Sequence, residues 1–566
     1  MYRWRHISWL ALLLFVTSCS RPPEHQLVLK GGTIYDGAGG APYVGDLAID
    51  ADTISKILPY AESGAASELH GVTEIDVSGL AVSPGFINML SWANESLLED
   101  GRGESDLLQG VTLVIMGEGW SMGPLNNGMK AEMLEDQGDI KFDVGWTSLG
   151  EYLEYVVERG VSPNVASFVG ATTVRIHEIG YEDRAPTEEE LGRMTQLVRA
   201  AMEEGALGLG SSLIYAPAFY ADTDELIALA AAAGEYGGMY ISHIRSEANA
   251  ILAAVDELTT IAREAGVPAE IYHLKAAGRE NWPRLEDVIR KVEQARSEGL
   301  RITADMYTYT AGATGLDAAM PPWVQEGGDQ AWIERLKDPA IRRQVAREMR
   351  TPTDEWENLY LAAGSAENVL LVGFRTDELK PLTGKTLAEV AAERGTSPEE
   401  AAMDLLIANG ADVGTVYFLM SEDNVRRKIA LPWMSFGSDA EAMSPEGVFL
   451  ESNPHPRAYG NFARLLGRYV RDEGVIPLEE AIRKLTTQPA EHLGIQRRGA
   501  LAPGYFADVV VFDPAAVKDH ATFAEPHQLA EGVTHVFVNG VQTVSEGAHT
   551  GATAGRVVRG PGWKGD

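Results

Sequence analysis

The chain has 566 residues, of which 45% are hydrophobic and 23% are charged, which is the composition of an ordinary globular protein. Its 82 acidic residues outnumber 47 basic residues and give a formal net charge of −35. This charge makes nucleic acid and anionic membrane surfaces poor partners for the body of the protein. The length is compatible with several domains, although α/β barrels often exceed about 250 residues as one unit.

The N-terminus, residues 1–19, predicts an export signal that is not part of the fold. Two arginines precede an apolar run, Ile7–Val16, which is too short to span a bilayer and leads into Cys19. The segment resembles a bacterial lipoprotein signal with its lipobox, in which the cysteine is acylated. Cys19 is the only cysteine, so no internal disulfide can form. We expect a lipid-anchored periplasmic protein, in the outer membrane because Ser20 follows; an ordinary secretory signal is the alternative.

Both ends of the remaining chain predict β structure. Residues 20–26 read as a short tether. Residues 27–82 alternate apolar and polar positions between turns that contain Gly and Asp, and residues 495–560 contain runs of the same kind. Two β-rich ends on either side of an α/β middle predict one small β-sandwich domain built from both chain ends.

The middle of the chain, residues 83–494, predicts an α/β fold of the (β/α)₈ TIM-like barrel type. Eight short apolar runs are each followed by a loop and mostly by a helical pattern. A long insertion, about residues 308–433, precedes the last run, contains the predicted helices Ala331–Met349 and Ser397–Ile407, and is expected to cap the barrel mouth. The eight predicted strands are Gly85–Asn88, Val111–Gly117, Asn164–Gly170, Leu207–Leu213, Met239–Ile244, Ala269–Leu274, Arg301–Tyr307 and Met434–Ser438.

Four side chains with metal or acid–base chemistry follow these strands. His243 and His273 follow the fifth and sixth strands, Glu118 the second and Asp439 the eighth. Because the carboxyl ends of parallel strands meet at one edge, we expect the four to converge. Two imidazoles and a carboxylate suit zinc or a similar ion, and a second carboxylate can move a proton. The competing structural explanations are satisfied histidines, a turn residue at Glu118 and a helix cap at Asp439.

A series of segments along the chain also carries a family resemblance. It extends from about Leu27 to about Gly540, and its segments are specific as an ordered set, not one by one. They include LVLKGGTIYDGAG, SPGFIN, QGVT, SHIRSE, HLKAAG, TADMYTYTA, SFGSD, NPHPRAYGNFARLLGRYV and APGYFADVVVFDP. In this order they resemble the D-aminoacylase (N-acyl-D-amino-acid deacylase) family of the amidohydrolase superfamily, which combines a (β/α)₈ barrel with a small β-sandwich.

The resemblance implies roles for particular residues. His243 and His273 stand where the family binds its tightly held metal ion, Glu118 stands at a further ligand position, and Asp439 is implied to be the catalytic aspartate. Three other residues are implied to bind substrate: Arg457 and Tyr307 match positions that hold the substrate carboxylate, and Lys275 lies beside the pocket. An arginine suits this task because its fork binds a carboxylate through two parallel hydrogen bonds.

One position departs from the superfamily pattern. The His-x-His pair normally found after the first strand is replaced by Leu90 and Trp92, which cannot bind zinc. We therefore expect one zinc ion on Glu118, His243 and His273, with Leu90 and Trp92 as pocket walls, and hydrolysis of N-acyl-D-amino acids. The alternatives are a cyclic-amide or dipeptide hydrolase and a non-catalytic binding lipoprotein on a degenerate barrel. The sequence leaves the oligomeric state open.

Overall fold

The computed structural model describes residues 24–60 and 69–565. The predicted signal, including Cys19, lies outside these residues, as does most of the predicted tether. The first strand begins at His25, two positions before the predicted start at residue 27. Within the described residues, no helix combines the length and apolar character that crossing a membrane would require.

The strands follow the chain in four groups. The N-terminal group is β1 His25–Ile34, β2 Tyr43–Asp50, β3 Thr53–Pro59, β4 Gly71–Asp76 and β5 Ala81–Pro84. The next group is β6 Phe86–Asn88, β7 Val111–Met116, β8 Asn164–Ser167, β9 Val169–Gly170, β10 Gly208–Ser212, β11 Met239–His243, β12 Ala269–Ile271 and β13 Ile302–Met306. The insertion contributes β14 Ala311–Gly315, β15 Val369–Phe374 and β16 Val413–Phe418, and the final group is β17 Met434–Phe436, β18 Val509–Phe512, β19 Val533–Val538, β20 Val541–Ser545 and β21 Ala548–His549.

The helices lie mostly between the strands of the second group and within the insertion. The α-helices are α1 Ala93–Glu99, α2 Glu104–Leu107, α3 Asn127–Glu135, α4 Leu149–Arg159, α5 Ala171–Ile179, α6 Glu188–Glu203, α7 Thr223–Gly234, α8 Ile251–Ala265, α9 Leu285–Ser297, α10 Asp329–Leu336, α11 Pro339–Glu348, α12 Leu359–Ala363, α13 Leu387–Arg394, α14 Pro398–Asn409, α15 Glu422–Ile429, α16 Arg457–Arg464, α17 Leu478–Leu485 and α18 Thr487–Leu493.

The predicted barrel strands form a closed parallel arrangement. One sheet has the order β6-β7-β8 and the other β9-β10-β11-β12-β13-β17; β8 and β9 share one barrel position and are separated by Phe168 alone. The first and last strands meet through the N–H of Met89, which donates to the Phe436 carbonyl at 3.1 Å, and the N–H of Asp439, which donates to Leu90 at 2.8 Å. The predicted (β/α)₈ barrel is confirmed.

The β domain is built from both chain ends, as predicted. Strand β1 pairs with β2, β4 and β5, and β5 pairs antiparallel with β18 in the order β21-β20-β19-β18-β5-β1-β2-β3. After β21 the chain leaves this sheet and runs along β8, where the N–H of Val558 donates to Val165 at 2.8 Å. The two chain ends therefore hold the barrel from one side.

The insertion forms its own small sheet, in which β16 pairs antiparallel with β14 and β15. Ser397 caps α14 by accepting the N–H of Glu400, as its sequence predicts. The single helix predicted over Ala331–Met349 is instead two, α10 and α11. Asp338 caps the second helix and Pro339 occupies its first turn, where a proline lacks the N–H that would continue the first helix.

Candidate active site

The ends of four barrel strands carry the predicted catalytic side chains. His243 is the last residue of β11, and Glu118, His273 and Asp439 lie two or three residues beyond β7, β12 and β17. All four are buried, with between 3% and 8% of their surface exposed. Because the strands are parallel, their carboxyl ends bring the four side chains to one edge of the barrel, as the sequence predicts.

Glu118, His243 and His273 present their ligand atoms to one another. Oε1 of Glu118 lies 3.1 Å from Nδ1 of His243 and 2.9 Å from Nε2 of His273. The three residues can each offer one atom within 4.8 Å of the others. One carboxylate oxygen and two imidazole nitrogens at this spacing are a donor set that suits zinc.

The charges around the three residues also favour a cation. Burial and Lys275 lower the pKa of His273, but the carboxylates of Glu247, Glu118 and Asp439 outweigh them and raise it to about 10. Burial raises the pKa of Glu118, but the two histidines outweigh it and lower the value to about 2. The buried carboxylates thus hold a proton on His273. A divalent ion offers them a positive charge in its place, so the residues fit a metal.

Glu247 forms a second layer behind both histidines. Its carboxylate lies 3.0 Å from Nδ1 of His273 and 3.4 Å from Nε2 of His243, on the side of each ring that faces away from Glu118. Lys275 donates to both oxygens of Glu247, at 2.6 and 2.7 Å, and lies 2.7 Å from Nδ1 of His273. Lys275 therefore lines the cavity, as predicted, with its ammonium held by Glu247.

Asp439 lies between an indole and a guanidinium. The Nε1–H of Trp92 donates to Oδ1 at 3.1 Å, and Nη2 of Arg457 lies 2.8 Å from Oδ2. The same indole N–H also reaches Glu118 at 3.1 Å. Burial raises the pKa of Asp439 above its ordinary value, against the opposing charges of Arg457 and His273. A carboxylate with a raised pKa is suited to accepting and returning a proton.

Two nitrogen atoms of the Arg457 guanidinium have no acceptor among the described residues. Its Nε and Nη1 atoms are buried without a hydrogen-bond partner among the described residues, as is the hydroxyl of Tyr307. The guanidinium lies 4.4 Å from the centre of the Tyr307 ring, which stacks against it. Leaving buried donors unpaired is costly, so this pair is arranged for an acceptor on a ligand, such as a carboxylate.

Two of the predicted site residues have unusual backbone conformations. His273 and Asp439 have φ values of 32° and 51°, in the left-handed region that non-glycine residues seldom adopt. Such conformations cost on the order of 1–3 kcal/mol each and persist where the surrounding structure holds them. At His273 the carboxylate of Asp305 contributes, because it accepts the backbone N–H at 2.8 Å.

These residues open onto a cavity of 640 Å³ between the barrel and the insertion. The strand ends form its floor, and residues from β14, β15 and β16 form its roof. A chamber of this size and position holds a small molecule against the catalytic groups. The insertion therefore covers the barrel mouth, as we expected from its length.

A comparison with known families identifies the chain. The model of the amidohydrolase family matches residues 73–544, most of the chain. The protein belongs to this family. The D-aminoacylase of Alcaligenes xylosoxydans xylosoxydans is 34% identical over 542 residues, which cover 94% of this chain and 97% of the relative. The N-acyl-D-aspartate deacylase of the same organism is 32% identical, with 96% of each chain covered.

A solved amidohydrolase structure extends the similarity to the fold. The N-acyl-D-glutamate deacylase of Bordetella bronchiseptica, complexed with zinc and a phosphonate inhibitor that mimics the tetrahedral intermediate, superimposes with a TM-score of 0.76. It is 30% identical, and the match covers 94% of this chain and 99% of that one. The family resemblance and the fold expected from the sequence are both confirmed.

The two residues in place of the His-x-His pair have different surroundings in this amidohydrolase. Trp92 lines the cavity, as predicted, but Leu90 does not. Leu90 is fully buried in the barrel interior with Ile87 and Ile115. Because its side chain packs within this buried cluster, Leu90 does not form a pocket wall.

The sequence did not predict the contacts of Glu247 with the two histidines or the hydrogen bonds of Trp92. Glu247 stands four residues after His243 in the SHIRSE segment, so a carboxylate close to a candidate ligand was the available signal. Nothing in the sequence around Trp92 indicates that its N–H reaches both Glu118 and Asp439.

Proposed function

We propose that this protein hydrolyses the amide bond of N-acyl-D-amino acids. The observation that carries the proposal is one cavity that contains the donor set of Glu118, His243 and His273, the proton-accepting Asp439 and the free donors of Arg457. The curated relatives are named for D-aminoacylase and N-acyl-D-aspartate deacylase activity, which supports both the reaction and the D configuration.

The proposed cofactor is one Zn²⁺ ion held by Glu118, His243 and His273. When bound, such an ion supplies the Lewis acidity that activates water near neutral pH and polarises the amide carbonyl. The zinc in the Bordetella deacylase supports this metal. Leu90 and Trp92 remove the two imidazoles that a second ion would use, so we propose a single-ion site.

In this proposal Asp439 moves the proton. Its carboxylate accepts a proton from the attacking water and returns it to the departing amine nitrogen. Trp92 and Arg457 each hold one of its oxygens, which fixes the orientation of the carboxylate during both transfers.

Arg457 and Tyr307 orient the substrate. Nη2 of the guanidinium pairs with Asp439. Nε and Nη1 remain available to donate to the substrate carboxylate, and the Tyr307 hydroxyl adds a third donor. These free donors favour a substrate with a free carboxylate over a hydantoin or dihydropyrimidine ring that carries none.

The direct test is hydrolysis of N-acetyl-D-leucine and N-acetyl-L-leucine by the zinc-loaded protein, followed by release of the free amine. We expect turnover of the D enantiomer, little of the L enantiomer, and loss of activity when the metal is chelated. Equal turnover of both enantiomers would contradict the D configuration, and preference for hydantoins and dihydropyrimidines would favour the cyclic-amide alternative.

A non-catalytic binding lipoprotein is the second candidate, because the His-x-His pair is replaced. It predicts that N-acetyl-D-amino acids bind without being cleaved. Stoichiometric binding with no product after prolonged incubation with zinc would support it over the hydrolase.

We further propose that the mature protein is anchored through acylated Cys19 on the periplasmic side of the outer membrane. The lipobox-like segment supports this location. Metabolic labelling with an alkyne fatty acid tests it: the wild-type protein should incorporate the label and Cys19→Ser should not. Equal labelling of the two would contradict the proposal.

A further inference from the structure

Three further carboxylates line the catalytic cavity. Glu441 follows Asp439 by two residues, and Asp317 and Asp412 come from the insertion; all three line the cavity. Glu95, on α1, lines an adjoining chamber of 550 Å³ that shares Trp92, Trp120 and Glu441 with the first. The acidic region therefore consists of Glu441, Asp317, Asp412 and Glu95 and extends over the two adjoining chambers.

These carboxylates have little positive charge to balance them. Glu95, Asp317 and Glu441 form no ion pair within the part of the chain that the structure describes. The positive charge that acts on Asp412 is the guanidinium of Arg375, which itself pairs with Asp136. The cavity walls desolvate Glu441 and raise its pKa to about 7, with further contributions from Glu95 and Asp412. Burial, and then Asp329, raises the pKa of Asp317 to about 7. Glu441, Asp317 and Glu95 thus have other carboxyls as their main charged neighbours.

The spacing of the acidic groups does not fit a bare metal ion. Among the described residues, only Glu118, His243 and His273 place their ligand atoms within 4.8 Å of one another. An ammonium or guanidinium suits a wider ring, because it donates several hydrogen bonds in different directions. Trp92 and Trp120 on the wall between the two chambers add aromatic surfaces that attract such cations.

An independent observation at the inner end of the cavity indicates a charged ligand. Arg457, which lines the cavity, is 3% exposed, and its Nε and Nη1 atoms have no hydrogen-bond partner among the described residues, so they can serve a ligand carboxylate. A molecule that satisfies both ends has a carboxylate near Arg457 and a positive charge near Glu441 and Asp412.

We propose that the preferred substrates are N-acyl-D-amino acids that carry a positive charge at the end away from the carboxylate, bound as an ammonium or guanidinium by Glu441, Asp412, Asp317 and Glu95. This inference rests on the proposed function and specifies its substrate class. It also predicts that side chains of aspartate or glutamate, after which two of the relatives are named, are repelled here.

The positive charge can come from a basic side chain or from an aminoacyl group. N-Acetyl-D-lysine places it on the side chain, and N-acetyl-D-norleucine is its neutral counterpart. β-Alanyl-D-leucine places it on the acyl group, and N-butanoyl-D-leucine is its neutral counterpart. N-Acetyl-D-glutamate tests the effect of a negative charge.

The experiment measures kcat/KM for these five compounds with the zinc-loaded protein, and their dissociation constants by calorimetry with the Asp439→Asn variant. We expect one cationic compound to exceed its neutral counterpart by at least about tenfold in both measurements, and N-acetyl-D-glutamate to be the poorest. If the values differ within the lysine–norleucine pair, the positive charge is recognised on the side chain. If they differ within the β-alanyl–butanoyl pair, it is recognised on the acyl group. Equal values within both pairs would overturn the proposal.

Two variants locate the effect. Glu441→Gln and Asp412→Asn should each reduce the ratio of cationic to neutral substrate by at least about threefold. The matched control is Glu158→Gln, a neutralisation at an exposed position of α4 outside the cavity, which should keep the ratio. An unchanged ratio in both cavity variants would contradict the assignment. If no compound is hydrolysed, the proposed reaction fails, and the calorimetric comparison alone decides whether the cavity prefers a cation.

Discussion

The carboxylate of Glu247 lies 3.0 Å from Nδ1 of His273 on the side opposite Glu118. Its other oxygen lies 3.4 Å from Nε2 of His243, so one buried side chain supports both imidazoles. A hydrogen bond at the outer nitrogen fixes the tautomer and the orientation of a histidine that binds metal through its other nitrogen. Glu247 thereby orients the His273 ring through a hydrogen bond and places its negative charge beside the His243 ring.

Replacing Glu247 should weaken metal binding although the residue is not itself a ligand. We expect Glu247→Gln to lower zinc affinity by about 10- to 100-fold, because the amide removes the charge that supports both imidazoles and balances Lys275. Competition with a chromophoric chelator measures the change. Glu257→Gln, which breaks a pair with Arg245 on the same segment, is the control and should keep the affinity. Equal loss in both variants would indicate general destabilisation.

Asp439→Asn should separate catalysis from metal binding. The amide can still accept the N–H of Trp92 but cannot take a proton from water, so we expect kcat to fall by about 10²- to 10⁴-fold. Metal content, measured by mass spectrometry, should stay at the wild-type level. Full turnover in this variant would disprove the proton-transfer role.

Arg457→Lys should impair recognition of the carboxylate. Lysine retains the positive charge but lacks the planar fork that serves Asp439 and the substrate together. We expect kcat/KM for N-acyl-D-amino acids to decrease by about 10- to 100-fold. The corresponding N-acyl amine without a carboxylate is the control substrate. If its already poor turnover drops by the same factor, the guanidinium acts on Asp439 alone.

The raised pKa of Glu441 predicts a pH-dependent effect on stability. Its pKa is about 7 in the folded protein against an ordinary value of 4.5, so the folded state disfavours the charged form. The resulting destabilisation is absent below about pH 4 and complete above about pH 7, because folding then requires an ionised carboxyl in the cavity. Because Glu441 is exposed to solvent, screening reduces this cost, and Glu441→Gln should raise the melting temperature by about 1 °C or less at pH 8 and have little effect at pH 4. Glu158→Gln should show no such difference, and an equal shift at both pH values would contradict the electrostatic cause.

The sequence predicts the catalytic floor well for a physical reason. Short apolar runs that alternate with helices specify parallel strands, and parallel strands bring residues as distant as Glu118 and His273 to the same edge. Their separation of 155 positions along the chain does not matter once the strand order is fixed.

The sequence predicts the second layer and the roof poorly. Glu247 and Trp92 lie on loops, where side-chain direction depends on packing across the whole barrel and not on local periodicity. The break between α10 and α11 shows the same limit, because Asp338 and Pro339 override an otherwise continuous helical pattern. The approach of Asp412 to Glu441 depends on how the insertion folds over the barrel, which no local pattern encodes.

The proposed hydrolysis depends on a single metal ion bound by Glu118, His243 and His273. Metal content per chain, measured by inductively coupled plasma mass spectrometry after loading with zinc and gel filtration, tests it most directly, with His243→Ala and Glu118→Ala prepared in parallel. We expect about one ion per wild-type chain and less than about a fifth of that in each variant, with native circular dichroism in both variants. No metal in the wild-type protein, or one ion retained in both variants, would contradict it.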